Sequence, residues 1–322
     1  MDPGHSTPVT PSLTIVSACD RNFLWGAFLL AASVQRQLPQ VPFLLLETGF
    51  QPEDLALIKQ FPGAQIRSLS SGNRRNVCNR KPEAILSADT EFIAWLDSDC
   101  MVLGDLSELL IPTNGEFQIR LREPNENADV WSRQYQPGDK SGELPRAVAA
   151  RWQADVGERT EARLQTTCVT NVFVLHRRHL NFIQRWQEQI HRILPSDHAG
   201  PVDSRLLPYF MTDESVLSSL LAFAHNVPPL SPSRLHIYPK AHVAHFGTRP
   251  KPWKRWRLGA WYCYEPVMEL LDWVRAQGWQ TPPLPWSFQR RYRFVSHLWA
   301  LADEQRAQLR RQAIAQWRRF RT

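Results

Sequence analysis

Asp97 and Asp99 stand two residues apart, directly after the apolar run Phe92-Ile93-Ala94-Trp95-Leu96. Alternate residues of an extended chain point the same way, so both carboxylates can face one ligand. Two acids that close repel each other strongly unless a cation lies between them. A divalent metal with oxygen ligands fits, and bound phosphates would complete its shell. The plainer alternative is a turn or a helix cap, because Asp-x-Asp triplets are common by chance. Position separates the two readings. The triplet closes an apolar strand in a series of strands and helices, and ligands of parallel sheets sit at the carboxyl ends of the strands.

Two further segments carry chemistry. His245 and Lys251 lie in His245-Phe246-Gly247-Thr248-Arg249-Pro250-Lys251-Pro252-Trp253. A neutral imidazole can bind a cation, and a lysine ammonium can neutralise a leaving phosphate. A lone histidine near a strand end is more often structural, and it is the company of Lys251 that points to a site. Asp213 and Glu214 open a helical stretch, where acids are stabilised by the helix dipole whatever else they do.

The elements that must position these residues follow from periodicity. Leu13–Ala18 reads as a buried strand running into the polar bend Cys19-Asp20-Arg21-Asn22. Phe23–Leu38 has helical spacing and stops before Pro39. Phe43–Leu46 is the next apolar run. Gln51–Gln60 is helical, with Pro52 favourably near its start. Ala64–Leu69 alternates as a strand, Pro82–Ala88 is helical, and Glu91–Leu96 is a strand. This alternation predicts a mostly parallel α/β sheet with helices on both faces. Residues 122–160 are polar, hold no clear strand, and are expected to form a loop or excursion over the site. Val169–Leu175 reads as a strand, His179–Leu194 as a helix, Pro195–Pro208 as a loop and Asp213–Ala224 as a helix. Leu235–Ile237 and Val243–Phe246 are expected as short strands.

The chain has 322 residues, 43% hydrophobic and 21% charged, a balance that builds a packed core rather than a disordered chain. The net charge is +7, yet residues 251–322 hold 14 Lys/Arg against 5 Asp/Glu, so the basic character belongs to the C-terminal quarter. Eight of the 13 tryptophans lie there too. Ala300–Phe320 reads as a helix with Leu309, Ala313, Trp317 and Phe320 on one face and Arg306, Arg310, Arg311, Arg318 and Arg319 around it. Such a helix can lie on an anionic membrane surface or dock on the rest of the chain. No helix-turn-helix, RNA-binding or zinc module accompanies the charge, so no nucleic-acid partner is expected. The five cysteines are odd in number and form no CxxC, which points to a reducing compartment. Met1–Ser12 has no apolar run and reads as a disordered leader rather than a signal peptide. The longest apolar stretch, Phe23–Val34, falls short of the roughly 20 residues that span a membrane. A cytoplasmic protein is expected, with peripheral contact to the inner membrane face through 300–320 as an option.

Trp95-Leu96-Asp97-Ser98-Asp99 with Gly104-Asp105-Leu106 resembles the "YLDxDxxVxxDL" segment of family-8 glycosyltransferases, retaining enzymes of the GT-A fold. Lys81 resembles the basic residue of that family's helix before the metal motif. Ile15-Val16-Ser17-Ala18-Cys19-Asp20-Arg21-Asn22-Phe23 resembles its first strand and the turn that receives the nucleotide base. His245 to Trp253 is similar to "HxxGxxKPW", with the glycine one position early. Thr212-Asp213-Glu214-Ser215-Val216-Leu217 resembles "DQxxLN", with Glu214 in place of the amide. Thr170-Asn171-Val172-Phe173-Val174-Leu175 resembles the strand "NxGV". The resemblance covers 13–110 well and 167–256 in blocks.

What the resemblance implies is a GT-A domain over 13–256, with a nucleotide-sugar half (13–110) and an acceptor half (111–256). A helical, basic, Trp-rich extension (257–322) follows. Asp97, Asp99 and His245 would hold Mn2+ (Mg2+ being possible). Ser17, Ala18, Asp20, Asn22, Lys81, Asp97, Ser98, Gly247 and Lys251 would bind a nucleotide-diphosphate sugar. Asp213, Glu214 and Asn171 would face the sugar, Glu214 stabilising positive charge on the ring or acting as nucleophile. The acceptor would be a saccharide, a lipid-linked sugar or a peptide. A nucleotidyltransferase and a catalytically inactive nucleotide-sugar-binding protein are the alternatives.

Overall fold

A computed structural model describes residues 12–69, 76–134, 141–196, 206–235 and 242–319. The expected leader, apart from Ser12, lies outside the described residues, as do Ile237 and Phe320.

The first half alternates as its periodicity predicts: β1 (Leu13–Asp20), α1 (Leu24–Gln37), β2 (Phe43–Thr48), α2 (Pro52–Lys59), β3 (Ala64–Ser68), α3 (Lys81–Leu86) and β4 (Phe92–Leu96). Asp20 starts the turn into α1 by accepting the Asn22 backbone N–H at 2.8 Å. Gln51 and Asp54 close a capping box at the start of α2. The second half holds β5 (Cys100–Val102), β6 (Phe117–Leu121), α4 (Pro124–Gln134), α5 (Arg146–Val156), β7 (Cys168–His176), α6 (Leu180–Ile193), α7 (Asp213–Phe223), β8 (Leu230–Pro232), β9 (Val243–His245), α8 (Tyr264–Ala276) and α9 (Arg293–Arg319).

Seven strands form one sheet in the order β3-β2-β1-β4-β7-β6-β8. β1 to β4 pair in parallel, β7 runs antiparallel between β4 and β6, and β8 returns parallel to β6. β5 and β9 form a separate antiparallel ribbon. Both faces of the large sheet are covered. On one, Phe28 of α1 shares a core with Trp256, Tyr264 and Leu271, so the chain beyond residue 257 continues the packing of the first half. On the other, Trp95 and Phe173 pack with Trp186, Leu217 and Leu221 of α6 and α7. Full burial of one such side chain is worth about 1.5–3 kcal/mol.

The structure departs from the expected elements in three places. A strand that was not foreseen lies at Leu230–Pro232 and pairs with Phe117–Ile119; of the strand expected at Leu235–Ile237, only Leu235 is among the described residues. The excursion over 122–160 contains two helices, α4 and α5, because Trp131 and Trp152 give it an apolar centre packed on Phe210 and Tyr209. The C-terminal helix begins at Arg293, not Ala300. It docks through Ser296, Ala300 and Asp303, all buried, and leaves Phe294, Leu298, Leu309 and Trp317 exposed.

Candidate active site

The fold converges on the carboxyl ends of β1 and β4. β4 ends at Leu96, and the chain turns immediately: the Cys100 N–H donates to the Asp97 carbonyl at 2.8 Å. The two carboxylates therefore meet through a tight turn rather than by alternation along a strand. β7 anchors this turn, its Asn171 carbonyl accepting the Asp97 N–H at 2.8 Å. The β5–β9 ribbon then sets Cys100 opposite His245, and the Phe246 N–H donates to the Asp99 carbonyl at 2.8 Å. Two backbone ladders thus bring an imidazole to a pair of acids far away in sequence. One ligand atom from each of Asp97, Asp99 and His245 lies within 4.8 Å of the others.

Lysines surround this trio. Lys251 Nζ donates to Asp99 Oδ2 at 2.5 Å and to the Phe246 carbonyl at 2.7 Å. His245 Nε2 faces Asp99 Oδ1 at 3.3 Å. Lys81, at the start of α3, is only 5% exposed. Its Nζ reaches Asp97 Oδ1 at 2.9 Å, Asp213 Oδ2 at 3.2 Å, and both the carbonyl and hydroxyl of Thr170. Trp95 adds an indole N–H to Asp97 Oδ1 at 2.8 Å.

This arrangement sets the charges. Burial alone would raise Asp99, but His245 and Lys251 outweigh it and hold the carboxyl well below the usual carboxylate range. Burial pushes Asp97 up, with Lys81 opposing. Burial would lower His245, but Asp99 overrides it and raises the imidazole. Lys81, which burial would also lower, is kept charged by Asp213 and Asp97.

A cavity of about 390 Å³ opens over the trio, within the size range of small-molecule sites. Its walls include Ala18, Asp20, Phe23, Lys81, Asp97, Ser98, Asp99, His245, Gly247 and Lys251. Most of the residues expected to bind a donor or metal are therefore brought together. Gly247 is needed for close packing: a Cβ there would stand 2.8 Å from His245 Cε1. Cys78 also lines the cavity, but burial and then Asp213 push its thiol up to about 12, so it stays protonated. All five cysteines are free.

Other expected residues stand apart from the cavity wall. Ser17 is fully buried inside β1, with no partner for its hydroxyl among the described residues. Asn22 lines a neighbouring depression with Arg21, Trp25 and Glu53. Asn171 turns its amide to His245 Nδ1, at 3.0 Å. Asp213 lies behind Lys81 and also accepts from the Thr170 hydroxyl at 3.1 Å. Glu214, 9% exposed, is held at both oxygens. Arg122 Nη2 donates to Oε1 at 2.6 Å, and the Thr170 N–H donates to Oε2 at 3.1 Å. Burial pushes this carboxyl up, with Arg122 opposing. Arg122 and Thr170 were not foreseen. Arg122 follows β6 and braces Glu214 from 92 positions away, a distance across which no spacing signal exists.

The donor set suits a hard divalent cation. Two carboxylates and an imidazole supply oxygen and nitrogen ligands, and among the described residues Asp97 Oδ2 carries no hydrogen bond, since both of its partners take Oδ1.

Solved structures share this architecture. A galactosyltransferase, LgtC, solved with donor and acceptor sugar analogues, superposes with a TM-score of 0.52 over 87% of this chain and 99% of its own, at 17% identity. The fold is the GT-A glycosyltransferase fold. An active-site mutant of LgtC matches equally well, at 0.52 and 17% identity over 85% of this chain and 99% of its own. The bifunctional glycosyltransferase WbbM gives 0.53 over 83% of this chain and 50% of its own, at 12% identity. No protein-family model matches the chain, and no curated protein matches it.

Proposed function

We propose that this protein is a metal-dependent glycosyltransferase that moves a sugar from a nucleotide-diphosphate sugar to an acceptor hydroxyl, with retention at the anomeric carbon. The observation that carries the proposal is the meeting of Asp97, Asp99 and His245 at one cavity with Lys251 beside them, in a fold shared with a galactosyltransferase solved with donor and acceptor sugar analogues. Retention is the outcome that the resemblance to family-8 enzymes implies.

In this reading Asp97, Asp99 and His245 hold the cation, and Mn2+ suits the mixed oxygen and nitrogen shell better than Mg2+. When bound, the cation neutralises charge on the leaving diphosphate. Lys251, which lies against Asp99 at the edge of the cavity, would donate to a phosphate oxygen of the leaving diphosphate. One such electrophilic contact is worth about 3–4 kcal/mol in the transition state. Ala18 and Asp20 receive the nucleoside, and Ser98 and Gly247 border the diphosphate. Asp213, paired with Lys81, and Glu214, paired with Arg122, stand behind the sugar side, and the acceptor enters from the half that contains α4 and α5.

The exposed face of α9 extends the proposal to a membrane surface. Phe294, Leu298, Trp299, Leu309 and Trp317 are exposed on it, and the same helix carries Arg306 and Arg310. An amphipathic, basic face of this kind binds anionic headgroups. No helix among the described residues is long and apolar enough to cross a membrane. Co-sedimentation with phosphatidylglycerol vesicles, and its loss in Leu298→Glu/Trp299→Glu, tests this part.

The deciding experiment is a panel of nucleotide sugars titrated by calorimetry with and without Mn2+, on the wild type and Asp99→Ala. Metal-dependent binding of one donor, lost in a folded Asp99→Ala, supports the proposal, and unchanged affinity in that variant refutes it. Product analysis follows. Release of a nucleoside diphosphate marks sugar transfer, release of pyrophosphate marks a nucleotidyltransferase, and tight binding without turnover marks a binding protein.

A further inference from the structure

We propose that Asn171 sets the tautomer of His245, so that Nε2 presents its lone pair to the cation held by Asp97 and Asp99. The inference rests on the cation site argued above and assigns a positioning residue to it.

Asn171 is 8% exposed, and its amide meets His245 Nδ1 at 3.0 Å. The other end of the same amide is unsatisfied: Asn171 Oδ1 is buried and has no hydrogen-bond partner among the described residues. Buried side-chain oxygens are rarely left this way. A half-turn of the amide exchanges oxygen and nitrogen at almost no cost in shape. It sets Oδ1 against Nδ1, where it accepts an N–H. The oxygen then has a partner, the NH2 takes the oxygen's former place, and the single proton of a neutral imidazole is committed to Nδ1. Nε2, the nitrogen that faces Asp99 at 3.3 Å, is left with a free lone pair. This is the general arrangement of metal-bound histidines, whose second nitrogen donates to an acceptor behind the site.

The ring is confined from another side by Gly247. A Cβ there would fall 2.8 Å from Cε1 and 3.2 Å from Nδ1, so a larger residue would push the imidazole from its place. Asn171 also acts through its backbone, since its carbonyl holds the Asp97 N–H. One residue of β7 therefore aligns both arms of the ligand set, the acids by main chain and the imidazole by side chain.

The test measures Mn2+ binding to the full-length protein without nucleotide, from the loss of the free-ion signal in electron paramagnetic resonance. The variants are Asn171→Leu, which removes the acceptor at similar size, and Asn171→Asp, which keeps an acceptor only. Loss of a partner behind a metal ligand typically weakens affinity about 10–100-fold. The expected result is that Asn171→Leu weakens Mn2+ binding by that factor while Asn171→Asp binds at least as tightly as wild type. Chemical denaturation of the metal-free proteins shows whether each variant is folded. An Asn171→Leu protein that binds Mn2+ like wild type, or a loss equal in both variants, overturns the inference and leaves the cation site standing. A wild type that binds no Mn2+ while remaining folded overturns the cation site and this inference together.

Discussion

Lys81 and Asp213 are 3.2 Å apart in the interior, and the same ammonium reaches Asp97 at 2.9 Å. One ammonium therefore ties the start of α3 to the start of α7 and to the turn that carries Asp97 and Asp99. Removing one partner of a buried pair leaves an uncompensated charge and costs about 3–5 kcal/mol. Lys81→Met is expected to lose that much stability in chemical denaturation. Adding Asp213→Asn should restore part of it, because one of the two stranded acids is then neutral. A double variant no more stable than the single would show that Asp213 gains little from the lysine.

The opposed shifts of Asp99 and His245 give the site a pH signature. His245 is raised above its ordinary value, since Asp99 outweighs the effect of burial. Its contribution to metal-free stability is therefore complete below pH about 6.5 and is lost as the pH rises through the higher folded value. Asp99 is lowered, so its contribution is present above pH about 3.9 and is lost only as the pH falls through its depressed folded value. A cation must displace the proton of His245. Mn2+ affinity is thus expected to rise with pH until the raised folded value of His245 is passed, with proton release visible as a buffer dependence of the binding enthalpy. His245→Ala should bind more weakly and lose most of this dependence.

Much of the site was legible because its chemistry is local. Asp97-Ser98-Asp99 closes an apolar strand, and His245 to Lys251 is a short motif, so both could be recognised without knowing the fold. Their convergence was not legible. It depends on β5, three residues long and too short for an alternating pattern to stand out, and on its pairing with β9, a strand expected at Val243–Phe246 whose partner nothing in the sequence names. The direction of β7 is also absent from its hydropathy, yet it decides that Asn171 faces His245. Residues 122–160 read as a polar excursion because the burial of α4 rests on few residues, among them Trp131 and an amide, Asn127, which donates to the Gly142 carbonyl at 2.7 Å.

Gly26 permits the close approach of α1 to the turn between Asp97 and Asp99. A Cβ at this position would lie 2.5 Å from the Ser98 carbonyl oxygen and 2.9 Å from the Trp253 ring. Alanine is favoured over glycine in a helix interior by about 1 kcal/mol. Overpacking against backbone costs about 1–3 kcal/mol, and here the backbone belongs to the turn between Asp97 and Asp99. Gly26→Ala is expected to be less stable than wild type despite its better helix propensity, and to bind Mn2+ several-fold more weakly. A stabilised variant with unchanged metal affinity would mean that the turn yields without cost.

Thr212 precedes the acids of α7 with φ 48° and ψ −116°, a backbone region that suits glycine and strains a β-branched residue by about 1–3 kcal/mol. The residue is fully buried, and its hydroxyl donates to Asp213 Oδ1 at 3.1 Å. Comparing Thr212→Ala with Thr212→Gly separates the two contributions, because both lose the hydroxyl and only glycine relieves the backbone. At an ordinary position alanine is the more stable by about 0.4–1 kcal/mol. Here the order should reverse, with Thr212→Gly more stable than Thr212→Ala by at least about 1 kcal/mol in urea unfolding. Alanine equal to or above glycine would show that the conformation is relaxed in solution, and the aim of Asp213 at Lys81 would then rest on side-chain contacts alone.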